Sequence, residues 1–504
     1  MMQLLLLLVL TVVCATIIER FHSPKGPWLA ANLPSYLMRL TVFIGFFFID
    51  FALTWRGIHA FLFTQAVVLL ANRVSVGKTN ILQEPLVFSD CILYFDVFRY
   101  PELFQITPAK AKMMILGFVS IGVAALLALN LERPYWGHDD LGLRLMLIVI
   151  VVAFMAAPFI PLTQPMMKSW VAAFIPRPDI QEDCRKHGLM TVFVGYFIHW
   201  CAADHTALLQ SRHATQKVAK KPTTKSTYDQ IIVIQSEAFC DLRRLGSSNV
   251  SLQNFDRLKN KALQFGLFEN AFSGGYTQRT EFAVLTGLCI KDVGFDRYYP
   301  YFRAARFRSI SLPNSLAEDG YSTTFIHPFT KHFFGRHKAM PALGFEALIT
   351  SENLPKLATF GPHTGDIALG EHLIATSNAA LTKGTQKDFY FIATMENHAP
   401  WYQGRIAEFP ELGAVETYAK HLENADAMLG QIADHLDAQE GRFLLLFYGD
   451  HTPLLPEFSK PFPSKKTDYI LLELGTKKAK SKSVQKDIAA WDVAPLIKQL
   501  NVQS

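Results

Sequence analysis

Four short blocks of this 504-residue chain carry side chains able to hold a metal ion and to activate a hydroxyl. They are Ile231-Ile-Val-Ile-Gln-Ser-Glu237, Gly274-Gly-Tyr-Thr277, Glu396-Asn-His398 and Tyr448-Gly-Asp450-His451. Glu237 with the adjacent Asp450 and His451 offers two oxygen ligands and one nitrogen ligand to a divalent ion. Thr277 stands at a loop-to-helix junction, where backbone N–H groups attract anions and favour an ionised alkoxide. A threonine hydroxyl is a poor nucleophile until a base or a metal activates it. Taken singly, each residue has a plain alternative. Glu237 reads also as a helix-capping acid, Asp450-His451 as a turn pair and Thr277 as an N-cap. His398, in Met395-Glu-Asn-His-Ala-Pro-Trp401, suits donation to a phosphoryl oxygen or protonation of a leaving group, or a structural role. Arg336, in His332-Phe-Phe-Gly-Arg336, suits bidentate phosphate contact or an exposed surface.

Position makes the combination more telling than its parts. Three blocks follow apolar, β-branched runs, 231–234, 389–393 and 443–447, that read as buried parallel strands. Residues just past the C-terminal ends of such strands converge in one crevice. Strands are expected at 230–235, 322–326, 389–393, 442–447 and 469–472, and helices near 278–287, 415–439 and 487–500. That alternation predicts an α/β domain with a mainly parallel central sheet covered on both faces.

The first half is built for another solvent. The chain is 50% hydrophobic, and the excess lies before residue 205. Segments 1–18, 36–53, 58–71, 113–131 and 143–161 are apolar enough to predict five membrane spans. Segment 1–18 lacks a basic leading region and a small-residue cleavage site, so it reads as an uncleaved first helix. Segment 84–104 mixes aromatics with Asp90, Asp96 and Arg99 and reads as interfacial, and the short aromatic stretch 188–201 as a surface-lying helix. The expected divisions are a transmembrane domain over 1–165, an interfacial helix and basic tether over 166–227, and a catalytic domain over 228–504. The net charge of +6 gathers partly in 212–225, a tether near lipid headgroups, and no aromatic-and-basic array points to nucleic acid. The six cysteines form no CxxC or zinc-type spacing and read as isolated small apolar side chains.

The order of the four blocks resembles the alkaline phosphatase superfamily and, within it, the sulfatase-like lipoteichoic acid synthase and phosphoglycerol transferase family. Gly275-Tyr-Thr-Gln-Arg-Thr-Glu-Phe282 is similar to that family's nucleophile segment, with Thr277 at the nucleophile. The resemblance implies Glu237, Thr277, Asp450 and His451 as ligands of one divalent ion, manganese ahead of magnesium or zinc. It implies His398 as a catalytic and substrate-binding histidine, and Phe334 with Arg336 as the family's Trp-x-Arg substrate pair, Phe replacing Trp. The family's acidic headgroup-binding position, five residues before that aromatic, is Phe329 here. The implied reaction is ping-pong transfer of a phosphoglycerol-type headgroup from a membrane phospholipid, phosphatidylglycerol, through a Thr277 adduct to a glycan or polymer. The implied location is a bacterial inner membrane with the catalytic domain in the periplasm. Two rival readings are a sulfatase-like phosphodiesterase or sulfuric ester hydrolase and a non-enzymatic membrane sensor. The block around Thr277 lacks the C/S-x-P-x-R pattern of formylglycine sulfatases, and the retained Glu237, Thr277, Asp450 and His451 set speaks against a sensor.

Overall fold

The structure is a computed structural model. It describes residues 2–22, 24–91, 99–100, 108–135, 140–219, 227–247, 250–272, 274–383, 387–458, 464–478 and 482–502. The chain divides into two compact units, Met1–Asp204 and His205–Ser504.

The first unit is helical. Among the described residues, four helices are long and apolar enough to cross a membrane: Met2–Phe21, Leu33–Thr54, Gly57–Asn80 and Leu141–Phe159. The remaining expected span, 113–131, falls in the helix Pro108–Leu131, whose described apolar stretch is the shorter Gly122–Leu131. Of the expected interfacial segment 84–104, residues 92–98 and 101–104 lie outside the described residues. The turn between the second and third helices is made by Trp55 in the left-handed region at φ 59°, its N–H returning to Phe51 O. The stretch 188–201 forms the 13-residue helix Leu189–Cys201, about 20 Å long and too short to span the bilayer core. Leu189, Val192, Tyr196 and Ile198 are buried within the unit. Glu19, at the end of the first helix, accepts from Met190 N at 2.8 Å and pairs with Arg39 at 2.7 Å. A buried ion pair therefore joins the first two helices to the start of this one.

The second unit is built on one sheet. Its strands are β1 (Gln230–Ser236), β2 (Gln264–Glu269), β3 (Tyr321–His327), β4 (Ala347–Thr350), β7 (Lys387–Ala393), β8 (Phe443–Gly449), β9 (Lys466–Leu474), β10 (Val484–Gln485) and β11 (Ile488–Ala489). A separate hairpin pairs β5 (Thr359–Phe360) with β6 (His363–Thr364). The sheet order is β10-β2-β9-β8-β1-β7-β3-β4, with β11 also on β2. β8, β1, β7, β3 and β4 run parallel, and β9 is antiparallel to both neighbours. Two antiparallel pairings return β2 to the direction of β1, so its C-terminal end leads into the Thr277 segment at the same edge.

Every residue of the central strands β1 and β8 is buried, on both faces, because Ile, Val, Leu and Phe fill alternate positions toward both helical layers. The long helix Ala414–Ala438 covers one face, burying Tyr418, Leu422, Ala425, Leu429 and Leu436 at helical spacing. The five expected strands and the helices expected near 278–287 and 415–439 are present, whereas the helix expected near 487–500 begins only at Val493, its first residues being taken by β11. Strand β2, between β9 and the short strands β10 and β11, has Gly266 in it and only its last apolar residue fully buried, and gave no clear period-two signal.

Candidate active site

Parallel pairing fixes where the chemistry gathers. In register, Ile234 of β1 faces Ile392 of β7 and Phe447 of β8, so the three strands end level. Glu237, Thr394 and Asp450 then follow side by side. The Thr394 hydroxyl accepts from Glu237 N at 3.0 Å, and Asp450 Oδ1 accepts from Ala238 N at 2.8 Å. Ala238 holds φ 50°, a left-handed conformation uncommon outside glycine, and that bend aims its N–H at Asp450. Gly449 must be glycine for a separate reason: a Cβ there would lie 1.8 Å from Phe239 O.

Ligand atoms of Glu237, Asp450 and His451 all lie within 4.8 Å of one another, and all three residues are buried. His451 Nε2 is 3.1 Å from Glu237 Oε1 and 3.7 Å from Asp450 Oδ2. Its Nδ1 donates to Thr452 O at 3.1 Å, which leaves Nε2 as the ligand atom. Glu237 Oε1 and Asp450 Oδ2 are buried with no hydrogen-bond donor among the described residues. Two such oxygens facing one imidazole nitrogen fit a divalent cation. The electrostatics agree. Burial works against a charged His451, yet Asp450 and Glu237 hold it up at about 10. Burial pushes Glu237 up, but His398, His451 and Arg336 pull it down to about 2. Burial and the Glu237 charge push Asp450 up to about 7. The proton so held on His451 offsets the Glu237 charge and stands where a divalent cation would take its place.

Thr277 is the first residue of the helix Thr277–Thr286 and is buried. It lies close enough to Asp450 to pull that carboxyl down against the effect of burial. From the same helix, Thr280 Oγ1 donates to Asp450 O at 3.2 Å. Arg279, itself buried, lies over the Tyr276 ring at 3.8 Å and the Phe272 ring at 4.5 Å, which holds the loop entering Thr277.

His398 is half-buried, with Nδ1 donating to Ala399 O at 2.7 Å and Nε2 left over. Burial lowers its pKa. Arg405, absent from the sequence reading, donates to the carbonyls of Glu396 at 3.3 Å, His398 at 2.6 Å and Pro400, and so fixes the loop that carries His398. His363 of β6 meets His398 edge to face at 6.2 Å and Phe329 at 6.3 Å. Burial and His398 lower it to about 3. Phe329, where the related family places an acid, packs against His327, Phe333 and His363.

Arg336 is buried rather than on the surface. It follows Phe334 at φ 55° and Gly335 at φ 65°, consecutive left-handed residues that turn the chain into the helix Arg336–Leu343. Its Nε and Nη2 donate to Glu281 at 3.3 and 2.9 Å, and Nη1 donates to His327 Nε2 at 3.0 Å. Phe334 lies under the guanidinium at 5.4 Å. Neither Glu281 nor His327 was singled out in the sequence. His327 could have been, since it ends a buried strand as Glu237 nearly does. Arg405 offers no comparable signal.

The family model described as Sulfatase matches residues 229–499. The capsular polysaccharide biosynthesis protein RkpI of Rhizobium meliloti (strain 1021) is 32% identical over 92% of this chain and 85% of its own length. A cyclic beta-1,2-glucan modification protein of the same organism, so named provisionally, is 25% identical over 84% of this chain and 67% of its own. Among solved structures, the chain is similar to lipooligosaccharide phosphoethanolamine transferase A of Neisseria meningitidis, with 13% identity, TM-score 0.49 and coverage of 94% and 96%. It is also similar to the Streptococcus pyogenes phosphoglycerol transferase GacH, with 22% identity, TM-score 0.44 and coverage of 58% and 81%. With more than half of the chain inside the family match, and a relative at 32% identity along nearly all of it, this protein belongs to the sulfatase family.

Proposed function

We propose that the protein is a membrane-anchored, metal-dependent transferase that moves a phosphoglycerol-type headgroup from a phospholipid to an extracytoplasmic glycan or polymer. The observation that carries this reading is Thr277 against Asp450, at the head of a helix and beside a triad in which Glu237 Oε1 and Asp450 Oδ2 have no hydrogen-bond donor among the described residues. Glu237, Asp450 and His451, with the Thr277 oxygen, would hold the ion, with manganese proposed ahead of magnesium or zinc. When bound, such an ion lowers the pKa of a hydroxyl and polarises a phosphoryl oxygen.

The residues divide the remaining work. Thr277 Oγ1 attacks phosphorus of the phosphodiester, forming a phosphothreonine-type bond as the bond to the diacylglycerol oxygen breaks. His398 Nε2 takes the Thr277 proton and returns it to that leaving oxygen, so neutral diacylglycerol departs. In the second half an acceptor hydroxyl gives its proton to His398 and attacks phosphorus, and Thr277 recovers a proton as its bond to phosphorus breaks. Arg336, buried and always charged, supplies fixed positive charge to the phosphoryl oxygens. Phosphatidylglycerol is the proposed donor, because the apolar first unit would keep the crevice near bilayer lipid.

The test is mass spectrometry of the purified, metal-loaded protein after exposure to phosphatidylglycerol vesicles. A peptide containing Thr277 should gain the mass of one glycerophosphoryl group. An unmodified Thr277 alongside turnover of the lipid would overturn the covalent route.

A further inference from the structure

We propose that Glu281 is a positioning residue that sets the Arg336 guanidinium relative to the Thr277 nucleophile. This rests on the phosphodiester-transfer reading above. Glu281 lies four residues after Thr277 on one helix, so the two sit on the same face about one turn apart. Any rigid contact made by Glu281 is therefore referenced to the nucleophile.

That contact is with Arg336. Glu281 Oε1 and Oε2 take the Nε and Nη2 edge of the guanidinium, and both side chains are buried, at 0% and 2% exposure. The fork geometry allows one planar arrangement of the two groups. On the other edge Nη1 meets His327 Nε2, and His327 Nδ1 donates to Ala393 O at 2.9 Å. Pinned at both edges, Arg336 cannot swing, and its remaining Nη hydrogens keep one direction.

Glu281 is itself held from two sides. Gln235 Nε2 donates to Oε2 at 3.2 Å, and the Tyr301 hydroxyl donates to Oε1. Tyr448 donates to Gln235 Oε1 at 2.6 Å. Gln235 is two residues before Glu237, and Tyr448 two before Asp450. One buried chain, Tyr448–Gln235–Glu281–Arg336–His327, thus threads under the ligand blocks and ends on the strand that leads to His398. A buried ion pair is a weak source of stability compared with apolar packing, whereas its fixed geometry can specify one arrangement. Here the arrangement specified is that of a cation held to the nucleophile's own helix, one turn further on.

A double-mutant comparison on the full-length, metal-loaded protein in detergent decides the matter, with bis(p-nitrophenyl) phosphate as substrate. Glu281→Gln should lower kcat/KM by about 10- to 100-fold with metal content unchanged, in keeping with the loss typical of supporting residues. Arg336→Met should lower it at least as far. In the Arg336→Met background, adding Glu281→Gln should cost less than about twofold further, because Glu281 acts through Arg336. Losses that multiply in the double variant would assign Glu281 a structural role and overturn the proposal. Tyr301→Phe removes one donor to Glu281 and provides the same comparison, with a several-fold loss abolished by Arg336→Met, should Glu281→Gln alone not fold. If the wild-type protein cleaves no phosphodiester, the transferase reading fails by itself. Glu281 is then tested by the rise in melting temperature on adding orthovanadate, which should shrink in Glu281→Gln and Arg336→Met alike, and a rise unchanged in Glu281→Gln would overturn the proposal.

Discussion

At the scale of single residues, the site depends on matching each group's charge to a buried place. Thr277→Ala removes the attacking oxygen while leaving Glu237, Asp450 and His451, so turnover should fall by at least about a thousandfold, as for other nucleophile deletions. Elemental analysis should still find bound metal in that variant, and near-wild-type turnover would sink the covalent mechanism. Glu396 gives a pH prediction. Burial pushes its carboxyl up to about 8, against the pull of Asp366 N, Asn424 and Arg405. Between its ordinary value of 4.5 and 8 the folded chain keeps a proton that the unfolded chain releases. Its contribution to stability is thus full below 4.5 and is lost as pH rises through 8. Glu396→Gln replaces the titrating carboxyl, which lies 2.8 Å from His421 Nδ1 in the native protein, by a group that stays neutral across this range. The variant should melt higher than the wild type at pH 8, by a few degrees, and about equally at pH 5. Parallel melting curves across that range would show that Glu396 does not carry the dependence.

At the scale of elements, the strand ends decide what a sequence can disclose. Ile231–Ile234 and Phe443–Phe447 are continuous apolar runs, so β1 and β8 were legible, and with them Glu237, Asp450 and His451 as residues just past parallel strands. Arg336 was legible as chemistry but not as place, because its burial depends on Glu281, 55 positions earlier. His327 acts on a backbone carbonyl 66 positions away and Arg405 on carbonyls 5 to 9 positions before it in its own loop, and neither kind of contact leaves a periodic or spacing signal. The replacement of the related family's acid by Phe329 was visible, whereas the rings of His363 and Phe333 beside it follow from the hairpin and the tight turn at Phe334. Gly449 tests how far the element controls the ligands. With a Cβ only 1.8 Å from Phe239 O, Gly449→Ala must shift the end of β8 and carry Asp450 and His451 with it. Metal affinity should fall about 10- to 100-fold, measured by competition with a chromophoric chelator. Unchanged affinity would mean that the ligands are positioned independently of that strand end.

At the scale of the whole molecule, an apolar helical unit and an α/β unit share one chain because the proposed donor is confined to a bilayer. Four described helices are long and apolar enough to cross a membrane, and in one of them, Leu141–Phe159, the α-helical part Leu141–Ala156 has no fully buried side chain. Leu145, Val149 and Val152 are each more than half exposed, an arrangement suited to hydrocarbon and not to water. Anchoring raises the local concentration of the crevice at the headgroup plane without altering the chemistry. A released fragment covering 205–504 should therefore cleave a short-chain soluble phosphatidylglycerol at a rate near that of the full chain, but act at least about tenfold more slowly on vesicles. Equal rates on vesicles would leave the anchor without a catalytic purpose. The acceptor class makes a matching demand on topology, because exported glycans and polymers lie outside the cytoplasm. A cysteine placed at exposed Glu440, in a chain lacking Cys14, Cys91, Cys184, Cys201, Cys240 and Cys289, should react with a membrane-impermeant maleimide on cells whose outer envelope has been permeabilised. Labelling that requires lysis of the inner membrane would put the sulfatase-family unit in the cytoplasm, and the extracytoplasmic acceptor would have to be abandoned with it.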